Sequence, residues 1–285
     1  MTHRPGRFTL SIASFTASAL WAGLAWATPF FFSTGVPDGH MATGSRPASA
    51  GKIEIETGDD FITPSGLTIL TAGTFTGLLT GGATTSDIGE VRVEIYRVFP
   101  LDSDTVRTPQ VPTRANSPSD VEFADRDTAT ANLIFSTTEV TDSFTADNSV
   151  LNNISVGAKG EGPVTGEEVL FNVGFTVPIV LPQGHYFFVP QVEITTADGE
   201  FLWLSAPRPI VAPGTPIMPD LQTWIRNEPL QPDWLRVGTD VVGGTTPPTF
   251  NAAFSLTGKL PEPGSLLLVA VGLVVAWWYW RKHKQ

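Results

Sequence analysis

Apolar residues recur at every second position wherever the sequence shows a repeating pattern, and this period of two restricts the chain to β-structure. In residues 52–56 isoleucines alternate with charged residues, and residues 91–96 repeat the alternation with valines and an isoleucine. Both segments are predicted to be half-buried strands, because successive side chains of a strand point to opposite faces. Further strands are predicted at residues 67–79, 131–138, 150–156, 168–177, 185–195, 200–205 and 249–257.

Turn-forming residues separate the predicted strands. The chain has 27 Gly and 24 Pro, which together with Asn and Asp fill the gaps between strands. About ten strands and no long helix predict an all-β fold, an antiparallel β-sandwich of jelly-roll type over residues 28–258. Residues 100–120 and 207–232 are expected to be long loops. The expected core phenylalanines are Phe135, Phe171, Phe175, Phe187 and Phe254.

The N-terminal residues 1–27 have the organisation of a secretory signal peptide. Arg4 and Arg7 give a positive start, and an uncharged, mostly apolar stretch follows. Ala25 and Ala27 supply the small residues that signal peptidase requires, so cleavage is predicted after Ala27. The alternative is an uncleaved anchor helix, which the interspersed serines and threonines disfavour. Signal peptidase is therefore an expected partner, and the body an extracytoplasmic domain.

The C-terminal residues 259–285 contain three parts in order. Pro261, Glu262 and Pro263 come first, and an uncharged run follows over residues 265–280. As a helix that run would be ~24 Å long, which is short for a ~30 Å hydrocarbon layer but sufficient when its ends are anchored. The basic end at residues 281–284 should remain cytoplasmic by the positive-inside rule. Its cations are Arg281, Lys282 and Lys284.

This tail resembles the PEP-CTERM sorting signal, which consists of a Pro-Glu-Pro motif, a transmembrane helix and a short basic terminus. Pro261, Glu262 and Pro263 match the motif residue by residue. The resemblance implies recognition by an exosortase in a Gram-negative bacterium that makes exopolysaccharide. It also implies that the protein is anchored in the membrane through its C-terminal helix and is then passed to the cell surface or extracellular matrix.

The tail also allows two other interpretations. The tail also looks like the Leu-Pro-x-Thr-Gly signal of sortases, but Pro263 stands where the sortase cysteine would attack a threonine carbonyl. Sortase processing is therefore disfavoured, whereas a plain tail anchor that is never cut remains open.

Parts of the body resemble a group of exported, β-rich PEP-CTERM proteins of unknown activity. This likeness implies the fold class and the destination of the protein, and it implies no chemistry. The similar segments are residues 32–39, 45–47, 56–61, 93–100 and 116–121.

Charge and cysteine content exclude several classes of function. The formal net charge is -11, and residues 28–260 carry 12 basic and 27 acidic residues, a net of -15. Such a body repels phosphate backbones, so no nucleic-acid partner is expected. The chain has no Cys, which excludes disulfides, thiolate metal sites and cysteine nucleophiles.

No catalytic residue is predicted, and the protein is expected not to be an enzyme. Only His40 and His185 lie in the body, and neither is surrounded by a hydrolase or metalloprotease motif. Glu54 and Glu56 share a strand face ~7 Å apart, as a catalytic pair would. Solvent-facing alternation gives the same spacing and is the favoured explanation.

No cofactor is predicted, although a structural calcium ion stays open at three aspartate clusters. They lie at residues 59–60, 102–104 and 125–127, and none completes a calcium-loop motif. Ion pairs with Arg107 and Arg126 are the favoured explanation of two of them.

Trp203, Trp224 and Trp234 are the candidate contacts of a glycan, because sugar rings stack on exposed indoles. Burial of these indoles as cover over the core is the favoured explanation, and exposed, coplanar indoles would indicate glycan binding. The expected function is that of a non-enzymatic surface protein of the envelope or exopolysaccharide matrix. The alternative is a glycan-binding module with or without weak hydrolase activity.

Overall fold

The computed structural model describes residues 27–261 and Arg281, and it forms residues 28–260 mainly from β-strands. Two 3₁₀ turns, Thr85–Asp87 and Glu228–Leu230, and a π-helix at Val237–Val242 interrupt them. The strands are β1 Thr28–Ser33, β2 Ala42–Gly44, β3 Ile55–Thr80, β4 Ile88–Val98, β5 Pro118–Asp127, β6 Leu133–Ala146, β7 Ser149–Val150, β8 Val164–Ile194, β9 Glu200–Ala206, β10 Trp224–Asn227, β11 Leu235–Arg236, β12 Asn251–Ala252 and β13 Phe254–Leu260.

Two unusually long strands, β3 and β8, form the centre of the sheet. They pair antiparallel from Asp59 opposite Phe188 to Leu79 opposite Glu167. Breaks in register after Thr63 and after Leu70 bend the pair. Because of the bend, β8 pairs with β4 through its C-terminal half and with β6 through its N-terminal half.

The remaining strands extend this pair into one curled sheet. Its main path runs β5-β4-β8-β3-β9-β2-β7, while β13 joins β3 and β1 joins β13. β10 pairs with the beginning of β3, opposite its residues 55–58, and carries β11 on its other side.

The curled sheet encloses an aromatic core. Phe75 stacks on Phe171 with ring centroids 4.7 Å apart, and Phe188 stacks on Phe254 at 5.1 Å. Trp203 meets Phe188 edge-on at 6.0 Å. All five rings are buried, so this packing holds the curled ends of the sheet together.

The first and last strands lie side by side. β1 begins at Thr28, directly after the predicted signal-peptidase site, and Thr28 pairs with Leu260 at the end of β13. β13 is hydrogen-bonded on its other side to β3. Both ends of the described body are therefore incorporated into the sheet.

The predicted all-β class is confirmed, and the jelly-roll topology is not. The strands join in one curled sheet, because bent β3 and β8 each continue from one part of the sheet into the next. The predicted signal helix and the predicted transmembrane helix at residues 265–280 lie outside the described residues. Among the residues that are described, no helix is both long and apolar enough to cross a membrane.

Several predicted strands differ from the observed ones. Residues 52–54 precede β3, and Ile53 is exposed, so only Ile55 and Glu56 of the strand predicted at residues 52–56 lie in a strand. Only Ser149–Val150 forms a strand near the one predicted at 150–156. The missed strands are β1, β2, β5, β10 and β11, and β10 lies within the predicted loop 207–232. Four of the five expected core phenylalanines are buried, whereas Phe135 lies on edge strand β6 and is partly exposed.

Adjacent phenylalanines on β1 give a matched test of this fold. Phe32 is 1% exposed and packs against Phe61 and Phe254, whereas Phe31 is 57% exposed. We expect Phe32→Ala to lower the free energy of unfolding by about 3–5 kcal/mol, because it removes a buried ring and leaves a cavity. Phe31→Ala should change it by less than about 1 kcal/mol. Urea unfolding of both variants gives the two values, and equal losses would contradict the assignment of the two faces.

Candidate functional site: an acidic cleft beside β3 and β4

A polar cleft of about 280 Å³ lies on the face of the sheet that is opposite the aromatic core. Strands β3, β4, β5 and β10 and the segment after β10 form its walls. We call it the acidic cleft, and its lining residues are Glu54, Glu56, Arg92, Glu94, Tyr96, Asp120, Glu122, Arg226, Gln231 and Pro232.

Strand alternation explains why polar residues collect there. In β4 the side chains of Val91, Val93 and Ile95 are buried in the aromatic core. Arg92, Glu94 and Tyr96 must then point to the other face of the sheet, where they line the cleft. The period of two in this segment was read correctly from the sequence.

A buried ion pair forms the deepest part of the cleft. Glu56 lies directly opposite Arg226 in the β3–β10 pairing. Arg226 Nη2 donates to Glu56 Oε1 at 2.8 Å, and Arg226 Nε donates to Glu56 Oε2. Arg226 also lies over the ring of Trp234, 4.3 Å from its centroid. A two-point guanidinium–carboxylate contact of this kind is geometrically specific and strong.

Tyr96 connects this ion pair to Glu94. The Tyr96 hydroxyl lies 2.7 Å from Glu56 Oε1 and 3.0 Å from Glu94 Oε2, and it accepts from Arg226 Nη2 at 2.9 Å. One phenol proton can be donated to only one of the two carboxyl groups at a time. The other carboxyl group can form a hydrogen bond with this hydroxyl only if it carries a proton itself.

The environment of Glu94 favours its protonated form. Burial, followed by the neighbouring charge of Glu56, raises the pKa of Glu94 to about 8, although the Tyr96 hydroxyl opposes the shift. Glu94 is therefore mostly neutral at pH 7. Its Oε1 atom lies 3.7 Å from Arg92 Nη1, beyond hydrogen-bond distance.

At the mouth of the cleft, amide and guanidinium groups donate hydrogen bonds to the carboxylates of Glu54 and Glu90. Gln231 Nε2 donates to Glu54 Oε2 at 2.9 Å, and Gln191 Nε2 lies 3.3 Å from Glu54 Oε1. Arg92 donates to Glu90 Oε1 through Nε at 3.1 Å and through Nη2 at 3.0 Å. The Glu54 carboxylate thus receives amides, while the nearest guanidinium group is directed mainly at Glu90.

A second group of ion pairs fixes the loop that precedes β5 beside the cleft. Arg107 Nη2 donates to Asp233 Oδ1 at 2.7 Å and to Asp120 Oδ1 at 3.1 Å. Arg114 Nη2 donates to the same Asp120 oxygen at 2.5 Å. The expected pairing of Arg107 with residues 102–104 was therefore wrong, because Arg107 is paired with Asp120 and Asp233.

The three candidate glycan-contact tryptophans are buried. Trp203, Trp224 and Trp234 are 0%, 2% and 1% exposed, so none presents an indole face to a sugar ring. Trp203 Nε1 donates to the Ala253 carbonyl and Trp234 Nε1 to the Ser119 carbonyl, as buried indoles usually do. Stacking on these residues therefore has no support in the structure.

Glu56 was wrongly interpreted as a solvent-facing residue, because it is 1% exposed and paired with Arg226. The nearest sequence signal was the spacing of Glu54 and Glu56, which bring two carboxyl groups to the cleft. Glu94, Tyr96 and Arg226 were not singled out as site residues. No local pattern indicates that β10 pairs with the beginning of β3.

The histidines and aspartates considered in the sequence make contacts within the chain. His185 Nε2 lies 2.5 Å from Asp60 Oδ2, and burial lowers the pKa of His185 to about 4. His40 is exposed, with Nδ1 3.3 Å from Asp147 Oδ2.

The calcium-candidate aspartates are engaged in the same way. Asp59 and Asp60 are buried, and Asp102 pairs with Arg97 at 3.2 Å. Asp127 Oδ1 accepts from Thr130 N at 2.6 Å. Arg126 donates to the carbonyls of residues 125, 177 and 178, so the ion pair expected of it was wrong.

The residues predicted to direct sorting lie mostly outside the described part. The structure describes Ala27, Pro261 and Arg281. Outside it lie Ala25, Glu262, Pro263, Lys282 and Lys284.

Removing Arg226 tests the buried ion pair. We expect Arg226→Met to lower the free energy of unfolding by about 3–5 kcal/mol, because it leaves the Glu56 carboxylate buried without a cation. The double variant with Glu56→Gln should recover most of this loss in urea unfolding. Arg126→Met, whose guanidinium contacts only carbonyl groups, is the control and should cost at most about 1 kcal/mol. A double variant as unstable as Arg226→Met would contradict this account.

Comparison with known proteins identifies the tail. The PEP-CTERM protein-sorting motif is found at residues 260–284, which confirms the resemblance stated from the sequence. No curated protein is significantly similar to the chain. The motif implies export, processing by an exosortase and sorting to the envelope. The chain therefore carries, at residues 260–284, the PEP-CTERM sorting motif of an exosortase substrate.

Proposed function

We propose that this protein is a non-enzymatic β-protein that exosortase sorts to the cell surface, where it joins the envelope or exopolysaccharide matrix. The observation that carries the proposal is the sorting motif at residues 260–284. In this proposal the helix at residues 265–280 holds the protein in the membrane before processing, and the acidic body is displayed afterwards.

The end of the sheet supports a removable tail. β13 ends at Leu260, and the buried residues of this strand, Phe254 and Leu256, lie at its beginning and middle. Lys259 is exposed, and Leu260 is only partly buried. Cleavage beyond Pro261 would therefore remove no strand and no core residue of the described body.

The arrangement of the carboxyl groups supports a non-enzymatic role. Glu56 and Glu94 both line the cleft, and both lie within hydrogen-bond distance of the Tyr96 hydroxyl, at 2.7 Å and 3.0 Å. Glycosidases separate their two carboxyl groups by roughly 5–9.5 Å to admit the sugar or a water molecule. Here the Tyr96 hydroxyl contacts both carboxyl groups and Arg226 is bonded to Glu56, so these groups are already engaged within the fold and support structure rather than hydrolysis.

Glycan binding is the second candidate function. The feature that favours it is the acidic cleft, because the indoles are buried. Carboxylate, amide and guanidinium groups line the cleft, and such groups bind sugar hydroxyls. Its volume of about 280 Å³ lies at the small end of ligand sites, which suits one or two sugar units.

Processing of the tail is tested by intact mass. In cells that contain exosortase, we expect the mature protein to begin at Thr28 and to lack the helix at residues 265–280. In cells without the enzyme the tail should remain. Glu262→Ala should also retain the tail, because it removes the charged centre of the motif, whereas Lys259→Ala outside the motif should be processed normally. An identical mass in both strains would show a plain anchor instead.

Glycan binding is tested by a glycan array probed with the full-length protein in detergent. If the cleft is the binding site, Glu54→Gln should weaken retention roughly tenfold, the ratio that corresponds to loss of one charged hydrogen bond. Glu139→Gln on the exposed part of β6 is the matched control and should bind like the natural protein. Equal retention of both variants would place any glycan elsewhere, and no retention at all would reject this second candidate.

A further inference from the structure

Charged residues are unevenly distributed in the acidic body. All 27 acidic residues of the body lie outside four segments that contain no Asp, Glu, Lys or Arg. These uncharged segments are residues 28–37, 61–86, 169–184 and 241–258. The excess negative charge of the body is therefore confined to the rest of the chain.

The fold brings the four uncharged segments together in one part of the sheet. They contain β1, most of β3, the centre of β8 and most of β13. These strands are neighbours in the order β1-β13-β3-β8. The only charged residue that interrupts these parts of the four strands is Lys259, near the end of β13. Antiparallel sheets commonly place polar and charged residues on the face that is not in the core, so a face with a single cation is unusual in this acidic body.

The outward face of these strands exposes apolar side chains. One row of directly opposite residues crosses five strands, and paired residues of this kind share a face. The row consists of Phe31, Thr257, Ala72, Gly174 and Ile134. Its two ends are the large apolar side chains, with Phe31 57% exposed on β1 and Ile134 62% exposed on β6.

A second row lies closer to the end of β13. Lys259 is opposite Ile69, and Ile69 is opposite Val180, which is 49% exposed. Leu67 lies two positions before Ile69 on the same face of β3 and is also 49% exposed. We call this surface the tail-side face, and its residues are Phe31, Leu67, Ile69, Ile134, Val180 and Lys259.

The tail-side face adjoins the point where the chain leaves the sheet. β13 ends at Leu260, the residue after Lys259. The uncharged run of the tail begins at residue 265, and five extended residues span at most ~18 Å. When this run lies in the bilayer, as in the proposed function, Leu260 is held within that distance of the hydrocarbon layer. The end of β13 is then kept close to the lipid headgroups.

Charge determines which side of the body can contact that layer. A leaflet that contains anionic lipids repels the carboxylates of the other surfaces. The tail-side face has one cation, and the Lys259 ammonium group can lie beside an anionic headgroup while its alkyl chain covers apolar neighbours. Apolar side chains such as Phe31 and Val180 gain free energy when they enter the boundary between headgroups and acyl chains. A lipid surface therefore fits this face in both charge and polarity.

We propose that the tail-side face lies on the lipid bilayer while the tail anchors the protein. Phe31, Leu67 and Val180 then lie in the headgroup region, and Lys259 contacts anionic headgroups. The inference rests on the proposed anchoring by the tail, and it adds the orientation of the body at the membrane.

The absence of Cys from the chain allows this face to be labelled at single sites. Val180→Cys on the face and Val140→Cys on β6, where the valine is 54% exposed beside Glu139, form a matched pair. Each full-length variant carries an environment-sensitive fluorophore. It is reconstituted into vesicles of equal parts phosphatidylcholine and phosphatidylglycerol that include lipids with a nitroxide on the headgroup. We expect the nitroxide lipids to quench most of the fluorescence at residue 180 and little at residue 140, and aqueous iodide to show the reverse order.

A carboxylate placed on the face provides a second test. Phe31→Glu in the Val180→Cys protein should reduce quenching by the nitroxide lipids to the level seen at residue 140, because the new charge is repelled by phosphatidylglycerol. Val140→Glu in the same protein is the control and should leave the quenching unchanged. Both replaced side chains are exposed, so the variants should fold. If Val180→Cys does not fold, Leu67→Cys provides the second labelling site.

Flotation of the vesicles separates this inference from the proposed function. A protein that does not float with the vesicles would refute anchoring by the tail, and this inference with it. A protein that floats but is quenched equally at residues 180 and 140 would overturn the inference alone. Protection of residue 180 from both quenchers would show that protein rather than lipid covers the face, and the inference would again be wrong.

Discussion

The antiparallel pairing of β3 with β8 is the constraint on which the rest of the structure depends. It runs the length of two strands, from Asp59 opposite Phe188 to Leu79 opposite Glu167. Every other large element joins one of these two strands or a neighbour of theirs. The bend in the pair curls the sheet, so one face closes around aromatic rings. The opposite face, near the ends of the pair, remains available to polar groups.

That second face carries buried charge, which most folds avoid because desolvation of an ion is expensive. Here Glu56 receives two guanidinium nitrogens and a phenol, and Arg226 also lies over an indole. Glu94 avoids the cost in a different way, since its raised pKa keeps it mostly neutral at pH 7. Within one small cleft, Glu56 is thus stabilised by its ion pair and Glu94 by its proton. The protonation of Glu94 is reversible near physiological pH.

The sequence predicted what local patterns determine. The alternation around Val91, Val93 and Ile95 indicated a strand with one face in the core, and the tail residues indicated the sorting motif. The site was beyond such patterns, because Glu56 and Arg226 lie 170 residues apart and meet only through the β3–β10 pairing. The jelly-roll expectation was not confirmed. The number and spacing of the predicted strands do not show that β3 and β8 bend and that each continues from one part of the sheet into the next.

The position of β13 has a mechanical consequence if, as proposed, the body is tethered through its C-terminal end. β13 lies between β3 and β1, with hydrogen bonds on both sides. Antiparallel hydrogen bonds are perpendicular to their strands. A pull on Leu260 along the strand axis therefore shears two ladders at once instead of opening one bond after another. A force applied at this end would therefore be distributed over β1, β3 and β13. β13, the strand next to the attachment point, would resist separation from the sheet.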